Sequence, residues 1–129
     1  MVSPTIELLE KIQAIRRKDG RYKPEAHLFV LAALHFTIAS LPQIRHITGR
    51  ELLEGIRVYG LEQFGPLTRQ VFEHWGIRST VDFGHIVFSM VEQKLLGKTE
   101  EDSLADFSGV YDFSNAFDPQ PLFKLSDEG

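Results

Sequence analysis

Two arginines and a histidine lie within six residues of each other at the start of a predicted helix. Arg45 and His46 precede Thr48, and Arg50 follows it. The free N–H groups and the dipole of a helix N-terminus attract anions, so these four residues predict a site for phosphate or a carboxylate. The competing interpretation is a capped helix whose arginines pair with the acidic C-terminal segment. Glu51 favours it, because a Thr followed by Glu three residues later is typical of a capping box.

Asp82 and His85 are the weak candidates for metal binding. Their spacing of three places both on one face of a predicted helix. A zinc site needs three or four converging ligands, and only Glu92, two turns further on, and His74, near in sequence, are at hand. The sequence therefore favours a helix-start carboxylate beside an ordinary histidine. His35, in a strongly apolar helix, is predicted to be a hydrogen-bonded core histidine.

Motifs for enzymatic chemistry are missing from the sequence. The chain has no cysteine, which excludes disulfides, thiolate metal sites and cysteine nucleophiles. No nucleophile elbow, phosphate-binding loop or dinucleotide-binding glycine motif is present. The acids between residues 100 and 112 lack the ligand spacing of a calcium loop. We therefore expect no cofactor, and the sequence argues against an enzyme without excluding one.

Basic and acidic residues are separated along the chain. Residues 1–50 carry eight Lys and Arg against four acids, whereas residues 100–129 carry one against eight. The two ends can pair with each other, bind different partners or simply face water. The cluster from Arg16 to Lys23 is a candidate contact for RNA or DNA. The fifth predicted helix, which a winged-helix protein would use for reading, has too few cations to neutralise many phosphates.

The length of 129 residues fits one domain. We predict a single domain over 1–129, with a core at about 4–118 and a flexible tail at 119–129. The N-terminus does not resemble a signal peptide, and no apolar stretch approaches the roughly 20 residues that span a bilayer. The sequence therefore predicts a cytoplasmic protein without membrane contact.

Hydrophobic periodicity and capping residues predict five helices. Gly55 and Gly60 lie inside the third, which suggests close packing against another helix or a bend. Gly76 and Gly97 are expected to end the fourth and fifth. The expected bounds of the five helices are 4–18, 24–40, 49–63, 66–75 and 80–96.

The pattern changes after the fifth helix. Residues 103–123 contain two copies of a short unit, Asp-Phe-Ser-Gly-Val-Tyr and Asp-Phe-Ser-Asn-Ala-Phe. We interpret them as successive turns whose aromatic rings pack on the helices. The predicted fold is all-α, one compact bundle with an irregular acidic and aromatic C-terminal segment packed on it. A winged-helix-like α+β fold is the alternative.

A combination of short motifs runs along most of the chain. The motifs are Arg-His-Ile-Thr-Gly at 45–49, Glu-Leu-Leu-Glu-Gly at 51–55, Phe-Gly-Pro at 64–66, Trp-Gly-Ile at 75–77, Thr80 with Asp-Phe-Gly at 82–84 and Val-Phe at 87–88, Lys-Thr at 98–99, Asp102, Asp-Phe at 106–107 and Tyr-Asp-Phe at 111–113. This combination resembles a family of uncharacterised proteins from planctomycete and verrucomicrobial bacteria. The resemblance covers about residues 22–117, and its pieces are specific only in combination. It implies a compact bacterial cytosolic domain and transfers no activity, cofactor or site residue.

The absence of a catalytic set and the separation of charge favour a non-enzymatic protein-interaction or assembly module. Ten phenylalanines exceed what a small core needs, so some are expected to line a groove for a protein partner or a self-association surface. A small anion-binding protein or enzyme that uses the region of Arg45, His46 and Arg50 is the second hypothesis. An RNA- or DNA-binding module is the third.

Overall fold

A computed structural model of the chain describes residues 4–97 and 103–117. All regular structure in these two ranges is helical, which confirms the all-α bundle, and the winged-helix alternative is wrong because the ranges contain no strand. No helix among them is long and apolar enough to cross a membrane. The predicted tail at 119–129 lies outside the described residues. The helices are α1 (Pro4–Lys18), α2 (Pro24–Ala39), α3 (Gly49–Phe64), α4 (Thr68–His74), α5 (Thr80–Glu92) and α6 (Phe113–Ala116), with 3₁₀ turns at Gly65–Leu67 and Leu104–Phe107.

Helix α2 is central and packs against α1, α3 and α5. Its contact with α3 is close because Gly55 faces the buried Thr37, and a Cβ at Gly55 would overlap the Thr37 side chain. Gly60, one turn further along α3, similarly faces Phe72, whose ring is 3.0 Å from the place of a Cβ. The two glycines therefore serve close packing, as one of the two sequence interpretations held.

Gly76 ends α4 as predicted. It has a φ of +94°, and its N–H donates to the carbonyl of Glu73 while the Ile77 N–H donates to that of Phe72. This pair of bonds is a Schellman motif, which satisfies the last carbonyls of a helix and favours glycine. The Lys23 N–H donates to the carbonyl of Trp75 at 3.1 Å. The turn before α2 is thereby tied to the end of α4.

Helix α5 ends at Glu92 rather than at the predicted residue 96. Lys94 has a φ of +62°, its N–H donates to Val91, and the Leu95 N–H donates to Met90 at 2.8 Å. These bonds form a second Schellman motif with lysine in the position that usually holds glycine. Gly97, the residue predicted to end α5, lies three residues after Lys94. The helix therefore ends without the glycine that the sequence prediction relied on.

The core is strongly aromatic. Six of the ten phenylalanines are buried, so most of the apparent surplus serves the core. Phe72 lies at its centre, and its ring contacts five other aromatic rings at centroid distances of 5.2 to 6.1 Å. Two of these rings, Phe113 and Phe117, belong to the C-terminal segment. The predicted docking of its aromatic rings on the helices is thereby confirmed.

The buried histidine of α2 is His27, not His35. His35 is exposed, whereas His27 is 1% exposed and its Nδ1 lies 3.0 Å from the carbonyl oxygen of Lys23. No hydrogen-bond partner for Nε2 is present in the described part of the chain. Burial lowers the pKa of His27 and so favours the neutral form of its ring. The apolar residues of α2 lie on all sides of the helix, so the sequence did not indicate which face is buried or which histidine lies on it.

Candidate functional site

An apolar groove lies between the end of α2, the loop to α3, the start of α3 and the second half of α5. Its volume is about 500 Å³. We call it the Phe107 groove, because the Phe107 side chain lines it and packs against both α3 and α5. Ile44, on the loop at its rim, is 91% exposed. The lining residues are Leu34, Ile38, Ile44, Arg45, His46, Ile47, Thr48, Gly49, Leu52, Val87, Leu96, Gly97 and Phe107.

Phe107 is positioned by two glycines on different helices. Its ring lies 2.9 Å from the place of a Cβ at Gly49, and its side chain 2.8 Å from that at Gly84. The Thr80 hydroxyl donates to the Phe107 carbonyl at 2.5 Å and accepts the Val110 N–H at 3.2 Å. The C-terminal segment is thereby held against α5, and its aromatic side chain completes the groove. The sequence hinted at this contact, because it has glycines within the helices and a repeat of aromatic residues after them. It does not indicate which aromatic ring contacts which glycine.

The rim of the groove contains the capping box predicted for α3. The Glu51 N–H donates to the Thr48 hydroxyl at 3.1 Å, and the Glu51 carboxylate accepts the Thr48 N–H at 2.9 Å. The same carboxylate accepts two hydrogen bonds from the Arg45 guanidinium, at 2.8 and 3.1 Å. The Arg45 hydrogen bonds, and then that of Thr48, lower the pKa of Glu51 to about 2.

These bonds decide what the predicted anion site can do. Arg45 pairs with Glu51 and with none of the C-terminal acids in 103–117, and Glu51 occupies the place at the helix start that an anion would take. Arg45, His46 and Thr48 line the groove, but Arg50 is exposed and does not. The structure therefore places a pocket where the anion hypothesis expected one, with a lining that suits an apolar group.

Replacing Glu51 by glutamine is expected to remove a pH-dependent part of the stability. The folded-state pKa of Glu51 is depressed, so its stabilisation is present above its ordinary pKa of 4.5 and is lost as the pH falls towards about 2. Urea titrations should show Glu51→Gln less stable than the parent at pH 7, with a gap that closes between about pH 5 and 2. Glu62→Gln, at an exposed position of the same helix that takes no part in the cap, is the control and should show little gap at any pH. A gap that is constant with pH would contradict the assignment.

The two weak metal candidates have different surroundings. Asp82 accepts the Tyr22 hydroxyl at 2.5 Å and the backbone N–H groups of Arg78 and Ser79 at 2.8 and 3.1 Å. It therefore caps α5 and tethers the turn before α2. His85 lies in a second depression with Asp19 and Glu92 among others. Over 4–97 and 103–117, no three His, Asp or Glu residues come together in a way that could hold a metal ion.

The basic cluster from Arg16 to Lys23 is partly used within its own turn. Arg21 donates two hydrogen bonds to the Asp19 carboxylate, at 2.6 and 2.8 Å, which lower the pKa of Asp19 to about 2. Arg16 donates to the carbonyl of Tyr22 at 3.2 Å. Both arginines thus hold the turn, and the charge of Arg21 is offset by Asp19.

The acids of the C-terminal segment that the structure describes also act locally. Asp106 accepts the Ser103 N–H, and Asp112 accepts the Ser114 N–H and hydroxyl. Each ion pair seen within the described ranges joins residues at most six apart in sequence. The possible pairing between the acidic and basic ends is therefore not found there. Glu100, Glu101 and Asp102 lie outside those ranges.

Comparison with known proteins found no family, no curated protein and no solved structure that matches this chain.

Proposed function

We propose that this protein is a non-enzymatic interaction module that binds an apolar anchor of a protein partner in the Phe107 groove. The observation that carries the proposal is the groove itself, an apolar depression of about 500 Å³ with a large aliphatic side chain, Ile44, 91% exposed at its rim. Burial of one Leu- or Phe-sized side chain contributes about 1.5–3 kcal/mol. An aliphatic surface of this kind is a common basis of partner recognition.

Three of the polar side chains at the rim support binding rather than catalysis. Arg45, Thr48 and Glu51 satisfy one another, so none of them is poised as a nucleophile or general base. The groove volume lies in the roughly 300–1,000 Å³ range of pockets that enclose small-molecule-sized groups. Ile44 lines the groove at its rim and is 91% exposed, so a ligand confined within the groove would leave much of this side chain uncovered. A peptide segment would cover both.

Selection of peptides on the full-length protein tests the proposal. A phage-displayed random library should yield peptides with aliphatic or aromatic anchors, and fluorescence polarisation should give their affinities. We expect Ile44→Asp to weaken them about tenfold or more, since one buried aliphatic side chain exceeds the 1.4 kcal/mol of a tenfold change. Leu67→Asp is the matched control, because Leu67 is 57% exposed and lies outside the groove. Failure to select any peptide, or an equal effect of both variants, would refute the proposal.

We further propose that the motifs shared with the bacterial family serve the fold more than chemistry. Thr48 and Glu51 cap α3, Gly55 admits Thr37, Gly76 ends α4, and Thr80 holds Phe107. These roles explain why such a pattern can extend over a domain without containing a catalytic set. Membership in that family and a bacterial cytoplasmic location stay predictions from the sequence, which cell fractionation of the source organism would test for the location.

A further inference from the structure

The outward side of α2 carries four residues at regular helical spacing. Leu28, His35 and Ala39 are exposed, and Ala32 is partly exposed between them. Their spacing of four, three and four residues places all of them on one side of the helix. We call these four residues the α2 seam. The buried residues on the opposite side of α2 are Ala26, Val30, Ala33 and Thr37.

The α2 seam has the composition of a contact surface. The outer side of a surface helix normally carries charged residues, and the exposed residues of α3 include Arg50, Glu54 and Glu62. Helix α2, in contrast, has no Asp, Glu, Lys or Arg between Ala26 and Ser40. A helix that is apolar all round is typical of a helix buried on every side, yet α2 has one exposed side.

We propose that the α2 seam packs against the α2 seam of a second copy of this chain, with the two helices antiparallel. Along the seam, large and small side chains alternate in the order Leu, Ala, His, Ala. When one helix is reversed, Leu28 lies opposite the partner's Ala39. Ala32 lies opposite the partner's His35. Every large side chain therefore meets a small one, whereas a parallel pair in register would set large against large.

The seam is complementary to itself in charge and spacing as well. A face without Asp, Glu, Lys or Arg does not repel its own copy, as a face of like charges would. Spacing of four and three residues is the heptad spacing of a coiled coil. In an antiparallel pair each residue contacts a partner residue that contacts it in return, which is the isologous interface of a two-fold dimer.

The size of the seam limits the strength of the dimer. From Leu28 to Ala39 it is about 16 Å long, and a helix is about 10 Å wide. Such a contact buries less than the roughly 800 Å² per partner of a standard interface. We therefore expect a weak dimer, with a dissociation constant of about 10 μM to 1 mM.

The α2 seam is separate from the Phe107 groove. The residues of α2 that line the groove are Leu34 and Ile38, and neither belongs to the seam. The dimer therefore does not depend on the proposed peptide binding.

Sedimentation equilibrium of the full-length chain tests the self-association. We expect the average mass to rise from monomer towards dimer between about 10 μM and 1 mM. Leu28→Glu should raise the dissociation constant about tenfold or more, because it removes an aliphatic contact at both ends of the seam. Leu9→Glu on α1 is the matched control, since Leu9 is 44% exposed and Leu28 is 39% exposed.

Two outcomes of this experiment would overturn the proposal. The first is a parent chain that stays monomeric at about 1 mM, and the second is an equal effect of Leu28→Glu and Leu9→Glu on the dissociation constant. If the parent is monomeric and Leu28→Glu lowers its stability in urea more than Leu9→Glu does, another part of the same chain covers the seam.

Disulfide formation determines the orientation of the two helices. The chain has no cysteine, so Leu28→Cys and Ala39→Cys each provide a single thiol. Antiparallel packing brings position 28 beside the partner's position 39. It separates the two copies of position 28 by about 16 Å, beyond the roughly 7 Å between Cα atoms that a disulfide spans.

An equimolar mixture of the two cysteine variants, one labelled with ¹⁵N, is oxidised in a glutathione buffer and measured by intact mass. We expect the mixed disulfide in several-fold excess over the two homodisulfides. Leu9→Cys mixed with Ala39→Cys is the control and should give only the statistical share of mixed disulfide. Homodisulfides in excess would show a parallel pair, and a statistical mixture from Leu28→Cys and Ala39→Cys would show no defined pairing. Either result would overturn the antiparallel dimer.

Discussion

Replacing Phe107 by alanine should lower the free energy of unfolding by about 3–5 kcal/mol, the usual cost of removing a buried phenylalanine. The ring is 2% exposed and lies where Cβ atoms would stand at Gly49 and Gly84, so its loss leaves a void that two helices border. The change also removes part of the groove. We therefore expect weaker binding of the selected peptides together with lower stability in urea. Phe107→Leu, which keeps most of the volume, should show a smaller form of both effects.

A double-mutant cycle with Gly49 gives this prediction a sharper test. In the parent protein, Gly49→Ala should cost about 1–3 kcal/mol, since the added methyl group would stand 2.9 Å from the Phe107 ring. In the Phe107→Ala background the ring is gone, so the same change should cost much less. A coupling energy of about 1 kcal/mol or more is expected for residues in such contact. Additive costs would show that Phe107 does not occupy this place.

Gly76→Ala should destabilise the protein by about 3 kcal/mol or more, because the added methyl group causes both backbone strain and a steric overlap. A residue with a side chain pays about 1–2 kcal/mol for the left-handed conformation at a φ of +94°. The new Cβ would also overlap the Arg21 backbone carbonyl, and overpacking adds about 1–3 kcal/mol. That carbonyl belongs to the turn held by Tyr22 and Asp82, so the strain is not easily relieved.

Gly109→Ala is the matched control for Gly76. Gly109 also has a positive φ, +61°, but nothing lies within 4 Å of the place of a Cβ. We expect it to pay only the conformational cost, about 1–2 kcal/mol. Urea unfolding followed by tryptophan emission measures both, because the single tryptophan, Trp75, contacts the rings of Phe29, Phe64 and Phe72. Equal losses for the two variants would contradict the clash at Gly76.

Local signals made the helices predictable from the sequence. The Thr48 cap, the Gly76 end and the periodic apolar positions act within a few residues, and the structure confirms α1, α2 and α3 to within one residue at each end. The predicted end of α5 was wrong by four residues because Lys94 adopts a left-handed conformation, which a lysine in the sequence does not indicate. The prediction that His35 is buried was wrong because α2 is apolar nearly all round, so its periodicity does not fix which side faces the core.

The groove itself depends on contacts between distant positions. Phe107 meets Gly49 and Gly84, which lie 58 and 23 residues before it, and no pattern in the sequence pairs them. Three of the residues predicted for an anion site, Arg45, His46 and Thr48, lie at the rim of the groove. The sequence indicated Arg45 and Thr48 because both are polar residues at the start of a helix. Of their apolar neighbours, Leu34 and Val87 come from other helices and Leu96 from the segment after α5, so only the tertiary arrangement reveals that the site is apolar.

The Thr80 hydroxyl, which joins α5 to Phe107 and Val110, also bears on when the protein can fold during synthesis. The core lacks Phe107, Phe113 and Phe117 until translation has passed residue 117 and these rings have left the ribosome. Helices α1 to α5 emerge earlier with the apolar surfaces under those rings uncovered. Because transiently exposed apolar surface promotes aggregation, a nascent chain of this protein carries an aggregation-prone surface until Phe107, Phe113 and Phe117 have packed on the helices.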